Sequence, residues 1–243
     1  MNLYPAVDIL GGNAVRLRKG DYQAKRVYDA DPLSAARAWS EQGARYLHVV
    51  DLDGASDGAP VNLEHLRRIT AALEVPVQYG GGLRSLQAIE EALAAGASRV
   101  ILGTAALTEP DLLREALDAH GPERVLVSVD VRGGRAAIAG WTRAGELGAV
   151  EALQRLQAGG VQRFIYTNVD RDGMLQGPDL EEVRGVAATL GDGWFLYSGG
   201  IGELADLEAL ARGRAGALAG VIVGKALYER RFTVAQAEQA LSA

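Results

Sequence analysis

Apolar runs of strand length alternate with amphipathic runs of helix length along the whole chain. The apolar runs predict strands near Leu3–Asp8, Tyr46–Asp51, Val75–Tyr79, Arg99–Gly103, Arg124–Asp130, Arg163–Thr167, Trp194–Ser198 and Gly220–Gly224. The 3.6-residue periodicity predicts helices at Pro32–Gln42, Leu63–Leu73, Leu86–Ala95, Asp111–Ala119, Ala149–Ala158, Leu180–Leu190, Leu204–Arg212 and Val234–Leu241. Start signals precede several of these helices: Asp31-Pro32, Ser85, Glu109-Pro110 and Pro178-Asp179. Gly43, Gly96, Gly159 and Gly213 stand where helices should stop.

Eight alternating β/α units call for a parallel sheet covered by helices. Several strands, such as Val125–Val129, are continuous apolar runs, as strands buried on both faces require. A doubly wound open sheet and a closed (β/α)8 TIM barrel both meet that requirement. An internal repeat favours the barrel. PAVDILGGNAVRL (5–17) resembles SVDVRGGRAAIAG (128–140), GGLRSLQAIEEAL (81–93) resembles GGIGELADLEAL (199–210), and RVILGTAAL (99–107) resembles GVIVGKALY (220–228). The paired segments lie about 120 residues apart, so two four-unit halves would close as a pseudo-two-fold barrel. The expectation is a single (β/α)8 domain over residues 1–243, a usual size for that fold.

The absence of cysteine excludes disulfides, thiolate catalysis and cysteine-ligated metal clusters. A net charge of −6 disfavours nucleic acid as a partner. It leaves room for a small phosphorylated ligand, because backbone N–H groups hold phosphates without adding to the side-chain charge. No apolar run approaches the roughly 20 residues that cross a bilayer, so no membrane association is expected. The start, MNLYPAVDIL, does not read as a signal peptide, which makes the cytosol the expected location.

Barrel active sites sit at the C-terminal ends of the strands. Asp8 and Asp130 end the first and fifth predicted strands, which face each other across an eight-stranded barrel. Either one alone reads as a cap for the Gly-Gly turn that follows it. As an opposed pair they can divide acid and base work if their surroundings separate their pKa values. Glycine-rich junctions recur at Gly80–Gly82, Gly103-Thr104, Ser198–Gly200 and Gly224-Lys225, where backbone can approach a phosphate closely. Two such sites on opposite sides imply a ligand with a phosphate at each end. Lys225 follows Gly224, where a phosphate contact or a helix start is expected rather than a Schiff base. His48, His65 and His120 show no metal-ligand spacing, and no metal is expected. Trp141, in a loop, offers a stacking surface for a planar ring.

Taken in order, PAVDILGGNAVRL, RKGDY, HVVDLDGA, GGGLRS, LGTAAL, VSVDVRGG, GW, DRDGMLQGPD, SGGI and GVIVGKALY resemble the histidine-biosynthesis isomerases that act on phosphoribosylformimino-aminoimidazole carboxamide ribotide. The resemblance runs from Leu3 to Thr233. It implies an Amadori rearrangement of a bisphosphorylated aminoaldose to an aminoketose, without cofactor, by a monomer. On that model Asp130 is the general acid and Asp8 the general base. The resemblance carries substrate binding to Arg16, His48, Arg84, Trp141, Thr167 and Asp172. It places one phosphate at Gly177, Gly199, Gly200 and Gly224, and the other at Gly81, Gly82, Gly103 and Thr104. The sister cyclase that makes imidazole glycerol phosphate shares both aspartates, but its start resembles CLDVKDGRVVKG rather than AVDILGGNAVRL. A dual-substrate relative also isomerises phosphoribosylanthranilate, and in such relatives an arginine is expected two residues before the tryptophan, where this chain has Ala139. A phosphate-sugar binding module without catalysis would not need both aspartates.

Overall fold

The computed structural model describes residues 1–18, 21–138, 143–213 and 215–242. Its strands are β1 (Asn2–Leu10), β2 (Asn13–Arg18), β3 (Asp21–Asp29), β4 (Leu47–Asp51), β5 (Val77–Gly80), β6 (Arg99–Leu102), β7 (Val125–Arg132), β8 (Arg135–Ile138), β9 (Arg143–Gly148), β10 (Arg163–Asn168), β11 (Trp194–Ser198) and β12 (Leu218–Val223). Its helices are α1 (Pro32–Glu41), α2 (Leu52–Asp57), α3 (Leu63–Ala72), α4 (Leu86–Ala94), α5 (Thr104–Thr108), α6 (Pro110–His120), α7 (Ala149–Ala158), α8 (Leu180–Leu190), α9 (Leu204–Gly213), α10 (Lys225–Tyr228) and α11 (Val234–Leu241).

Eight strands pair in parallel in the order β10-β11-β12-β1-β4-β5-β6-β7, and β7 pairs back onto β10 to close the ring. The fold is a (β/α)8 barrel. Both faces of the strands are buried, for different reasons. Outward residues such as Leu3, Val7, Val49, Val127 and Phe164 pack under the helices in one large core. Inward residues Tyr4, Ala6, Ile101, Leu126, Ile165, Leu196 and Ile222 fill the barrel as a second, smaller core. Arginines and aromatics close the N-terminal end. Arg99 lies over the rings of Tyr46 and Trp194, and Arg163 over Trp194.

Successive strand residues alternate between inside and outside. Along β1 the inward set is therefore Tyr4, Ala6 and Asp8, and along β7 it is Leu126, Ser128 and Asp130. The pattern is apolar in the middle of the barrel and polar at its C-terminal rim, where the cavity opens.

Two antiparallel excursions, absent from the predicted elements, interrupt the β/α alternation. The segment after β1 runs through β2 and β3, and the segment after β7 runs through β8 and β9. The first lies between the predicted strand Leu3–Asp8 and the predicted helix Pro32–Gln42, where the sequence predicts no element. It escapes a hydrophobic reading because β3 is exposed over most of its length. Each excursion opens on a Gly-Gly turn with both glycines at positive φ: Gly11 and Gly12 at 57° and 74°, Gly133 and Gly134 at 55° and 76°. A type I′ hairpin loop requires that conformation at both central positions, and glycine adopts it without a steric penalty.

The repeat extends to hydrogen bonds. Gly11 N donates to the Asp53 carboxylate, and Gly133 N donates to Asp170 Oδ2 at 2.8 Å. Asp51 accepts from Gly54 N as Asn168 accepts from Arg171 N. A Cβ on Gly81 would come within 2.1 Å of the Asp51 carbonyl oxygen, and one on Gly199 within 2.5 Å of that of Asn168.

Candidate active site

The Gly-Gly turns after β1 and β7 are held by Asp53 and Asp170, whereas the sequence alone offers that role to Asp8 and Asp130. Both aspartates instead line one cavity at the C-terminal rim of the barrel. Asp130 Oδ1 accepts a hydrogen bond of 2.8 Å from Ser128 Oγ, two residues back on the same inward face. Asp8 accepts from Arg16 Nη1 at 2.6 Å, because the β1–β2 hairpin folds Arg16 back beside it.

Arg16 also reaches Asp172, its Nη2 lying 3.6 Å from Oδ1. One guanidinium thus sits between two carboxylates, all three deeply buried. A Cβ on Gly224 would fall 2.4 Å from Arg16 Cζ, so glycine at that position makes room for the guanidinium. Burial raises the Asp8 pKa, Arg16 opposes the rise and Asp172 adds to it, with a net result of about 6. Burial likewise raises Asp172, against Arg16 and Lys225 and with help from Asp130. Lys225 Nζ donates to the Gly173 carbonyl at 2.7 Å and so ties the segment carrying Asp172 to the start of α10.

A base acts in its ionised form, and Asp8 gains a proton as pH falls through about 6. If Asp8 is that base, kcat/KM is expected to drop tenfold per pH unit below that value and to level off above it. A pH–rate profile checks this. An acid limb near the ordinary carboxylate range, about 4, would contradict it.

The cavity brings together Asp8, Arg16, His48, Gly81, Gly82, Arg84, Gly103, Thr104, Asp130, Thr167 and Asp172. Thr167 pairs in register with Asp130 across β10 and β7. Arg84 stands at the rim, its Nη2 donating to the Ala55 carbonyl, and a Cβ on Gly58 would collide with it. The N-terminus of α5, after Gly103, carries no side-chain cap and opens beside the cavity at Thr104. Gly177, Gly199, Gly200 and Gly224 lie off that lining. Gly177 N donates to the Gly200 carbonyl. The N–H groups of Gly202 and Glu203 are taken by Asp206, whereas the N-terminus of α10 after Gly224 has no side-chain cap. Trp141 and Ala139 fall outside the described residues.

Sequence reasoning missed Ser128, Tyr22 and Gln78. Ser128 carries a signal, since it shares the inward parity of Asp130. Tyr22 lines the cavity from β3, its hydroxyl donating to the Leu52 carbonyl at 3.0 Å.

A (β/α)8 barrel with carboxylates from opposite strands in one cavity at its C-terminal rim has the layout of a barrel enzyme. A family model described as histidine biosynthesis protein matches residues 2–233, and the chain belongs to that family. Its relatives include a protein of Moorella thermoacetica, 46% identical over 237 residues that cover 98% of this chain and 97% of the relative. Another, from Picosynechococcus, is 44% identical over 241 residues, covering 99% and 93%. A third, from Syntrophomonas wolfei, is 42% identical over 237 residues, covering 98% and 97%. Each is named 1-(5-phosphoribosyl)-5-((5-phosphoribosylamino)methylideneamino) imidazole-4-carboxamide isomerase. Among the described residues no helix is long and apolar enough to cross a membrane.

Proposed function

We propose that this chain catalyses the isomerisation for which those relatives are named, an Amadori rearrangement of an aminoaldose to an aminoketose in histidine biosynthesis. The observation that carries the reading is the placement of Asp8 and Asp130 in one cavity, on β1 and β7, with their Gly-Gly turns held by other carboxylates.

Asp130 is assigned as general acid. It gives its proton to the ribose ring oxygen as the C1–O bond breaks, and the nitrogen lone pair forms the C1=N bond of a protonated Schiff base. Asp8, with a pKa of about 6, is mostly ionised at neutral pH. It removes the proton from C2, and that electron pair moves to form C1=C2 as C1=N returns to a single bond. The resulting enolamine becomes the ketose when C1 gains a proton and the C2 hydroxyl loses one. Arg16 keeps Asp8 from rising further and stays positive beside the anionic substrate. Gly81, Gly82, Gly103 and Thr104 are assigned to one phosphate, and Gly177, Gly199, Gly200 and Gly224 to the other. Arg84, His48, Thr167 and Asp172 are assigned to orient the sugar and the imidazole. The protein is assigned to the cytosol as a monomer, with this bisphosphorylated small molecule as its partner.

Turnover assays test substrate choice. The aminoaldose is run beside phosphoribosylanthranilate, and beside the aminoketose with ammonia for the cyclase reaction. Turnover of the aminoaldose alone is expected. Turnover of both aldoses would make this a dual-substrate enzyme despite Ala139, and cyclisation would place it with the sister cyclases.

A further inference from the structure

Strand β5 turns a polar side chain toward His48 that the mechanism above does not use. Gln78 stands directly opposite His48 in the β4–β5 register and is 2% exposed. Its amide nitrogen lies 2.8 Å from His48 Nδ1, while its Oε1 is buried with no partner among the described residues. A neutral imidazole has one N–H and one bare nitrogen, and the hydrogen bond made at one ring nitrogen decides which is which. His48 is neutral at working pH, because burial, then the charge of Arg16, push its pKa down to about 3. An amide N–H aimed at Nδ1 requires that nitrogen to be bare, which puts the single proton on Nε2.

We propose that Gln78 is a positioning residue that fixes His48 as the Nε2–H tautomer, so that the imidazole offers a neutral hydrogen-bond donor to the oxygen-rich substrate. The substrate's identity rests on the isomerase reading, whereas the tautomer is a property of the free protein. A neutral donor suits this place. A second cation beside Arg16 would pull the Asp8 pKa down and weaken it as a base. Packing does not account for Gln78, since the amide leaves an oxygen unpaired in the interior, where an apolar side chain of similar volume would leave none.

The test is 15N NMR of histidine-labelled protein without ligand, with the His48 signals assigned by their loss in His48→Gln. In the wild type a proton on Nε2 and a bare Nδ1 are expected. Gln78→Glu offers Nδ1 an acceptor and is expected to reverse the tautomer. It should lower kcat/KM about tenfold, mainly through KM, the scale of one binding hydrogen bond. Gln78→Leu is expected to mix the tautomers and weaken binding while the melting temperature holds or rises. A wild-type proton on Nδ1 would overturn the proposal. So would a reversed tautomer with unchanged kcat/KM, or an activity loss in Gln78→Leu matched by lost stability. If the wild type turns over no aminoaldose, the isomerase reading fails, and the NMR arm still decides the tautomer.

Discussion

Asp8→Asn is expected to lower kcat about a thousandfold, within the range that a positioned general base contributes. The substitution keeps the shape of the side chain, and its amide oxygen can still accept from Arg16. Arg16 also keeps its second carboxylate, Asp172. The fold and the glycine-rich strand ends are therefore expected to survive, so KM should change little while kcat falls. That division marks an interaction made only in the transition state. Steady-state kinetics with the aminoaldose, together with a melting curve, checks it. A kcat within tenfold of wild type would remove Asp8 from the role of base. Asp172, buried against the same guanidinium, would then be the next carboxylate to test.

Asp51→Ala is expected to cost about 4 kcal/mol of stability, because several buried donors lose a charged acceptor at once. Asp51 is fully buried and turned away from the cavity. It accepts from the backbone N–H groups of Gly54, Val61 and Asn62, from Asn62 Nδ2 and from the Tyr79 hydroxyl, all at 2.7–2.8 Å. These bonds cap α2, fix the chain leading into α3 and tie both to β5. For a chain of this length the melting temperature should fall by about 10 °C. Thermal and urea unfolding measure it, and a loss below about 1 kcal/mol would show that water or rearrangement replaces the carboxylate.

Asp51 also marks the limit of reading strand ends from sequence. It ends its predicted strand as Asp8 does, and composition does not separate the two. The register does. Asp8 pairs with Val50 and Ile9 with Asp51, so Asp51 shares the outward parity of Ile9. Parity counted from the apolar barrel interior would have sorted them, and it would have found Ser128 beside Asp130.

The helices were legible because their apolar faces repeat against a continuous core. The predicted Pro32–Gln42 and Leu180–Leu190 lie within one residue of α1 and α8. The barrel strands were legible because both faces are buried. The hairpin β2–β3 was not, since β3 is exposed and its pairing rests on backbone hydrogen bonds that leave no hydrophobic pattern. The Gly-Gly pairs were legible as turns, but the carboxylates that hold them, Asp53 and Asp170, come from the next barrel strand's junction. Arg16 and Asp172 are 156 residues apart and meet only because the barrel closes. Gln78 was hidden for another reason: it lies between Val77 and Tyr79 in an apolar run, and only its hydrogen bond to His48 marks it as more than core.

Isomerisation is followed most directly by NMR of the aminoaldose with the purified wild-type protein in the presence of a chelator. The C1–H signal of the aldose is expected to give way to the C1 methylene of the ketose. An unchanged aldose in the presence of folded protein would contradict the isomerase reading.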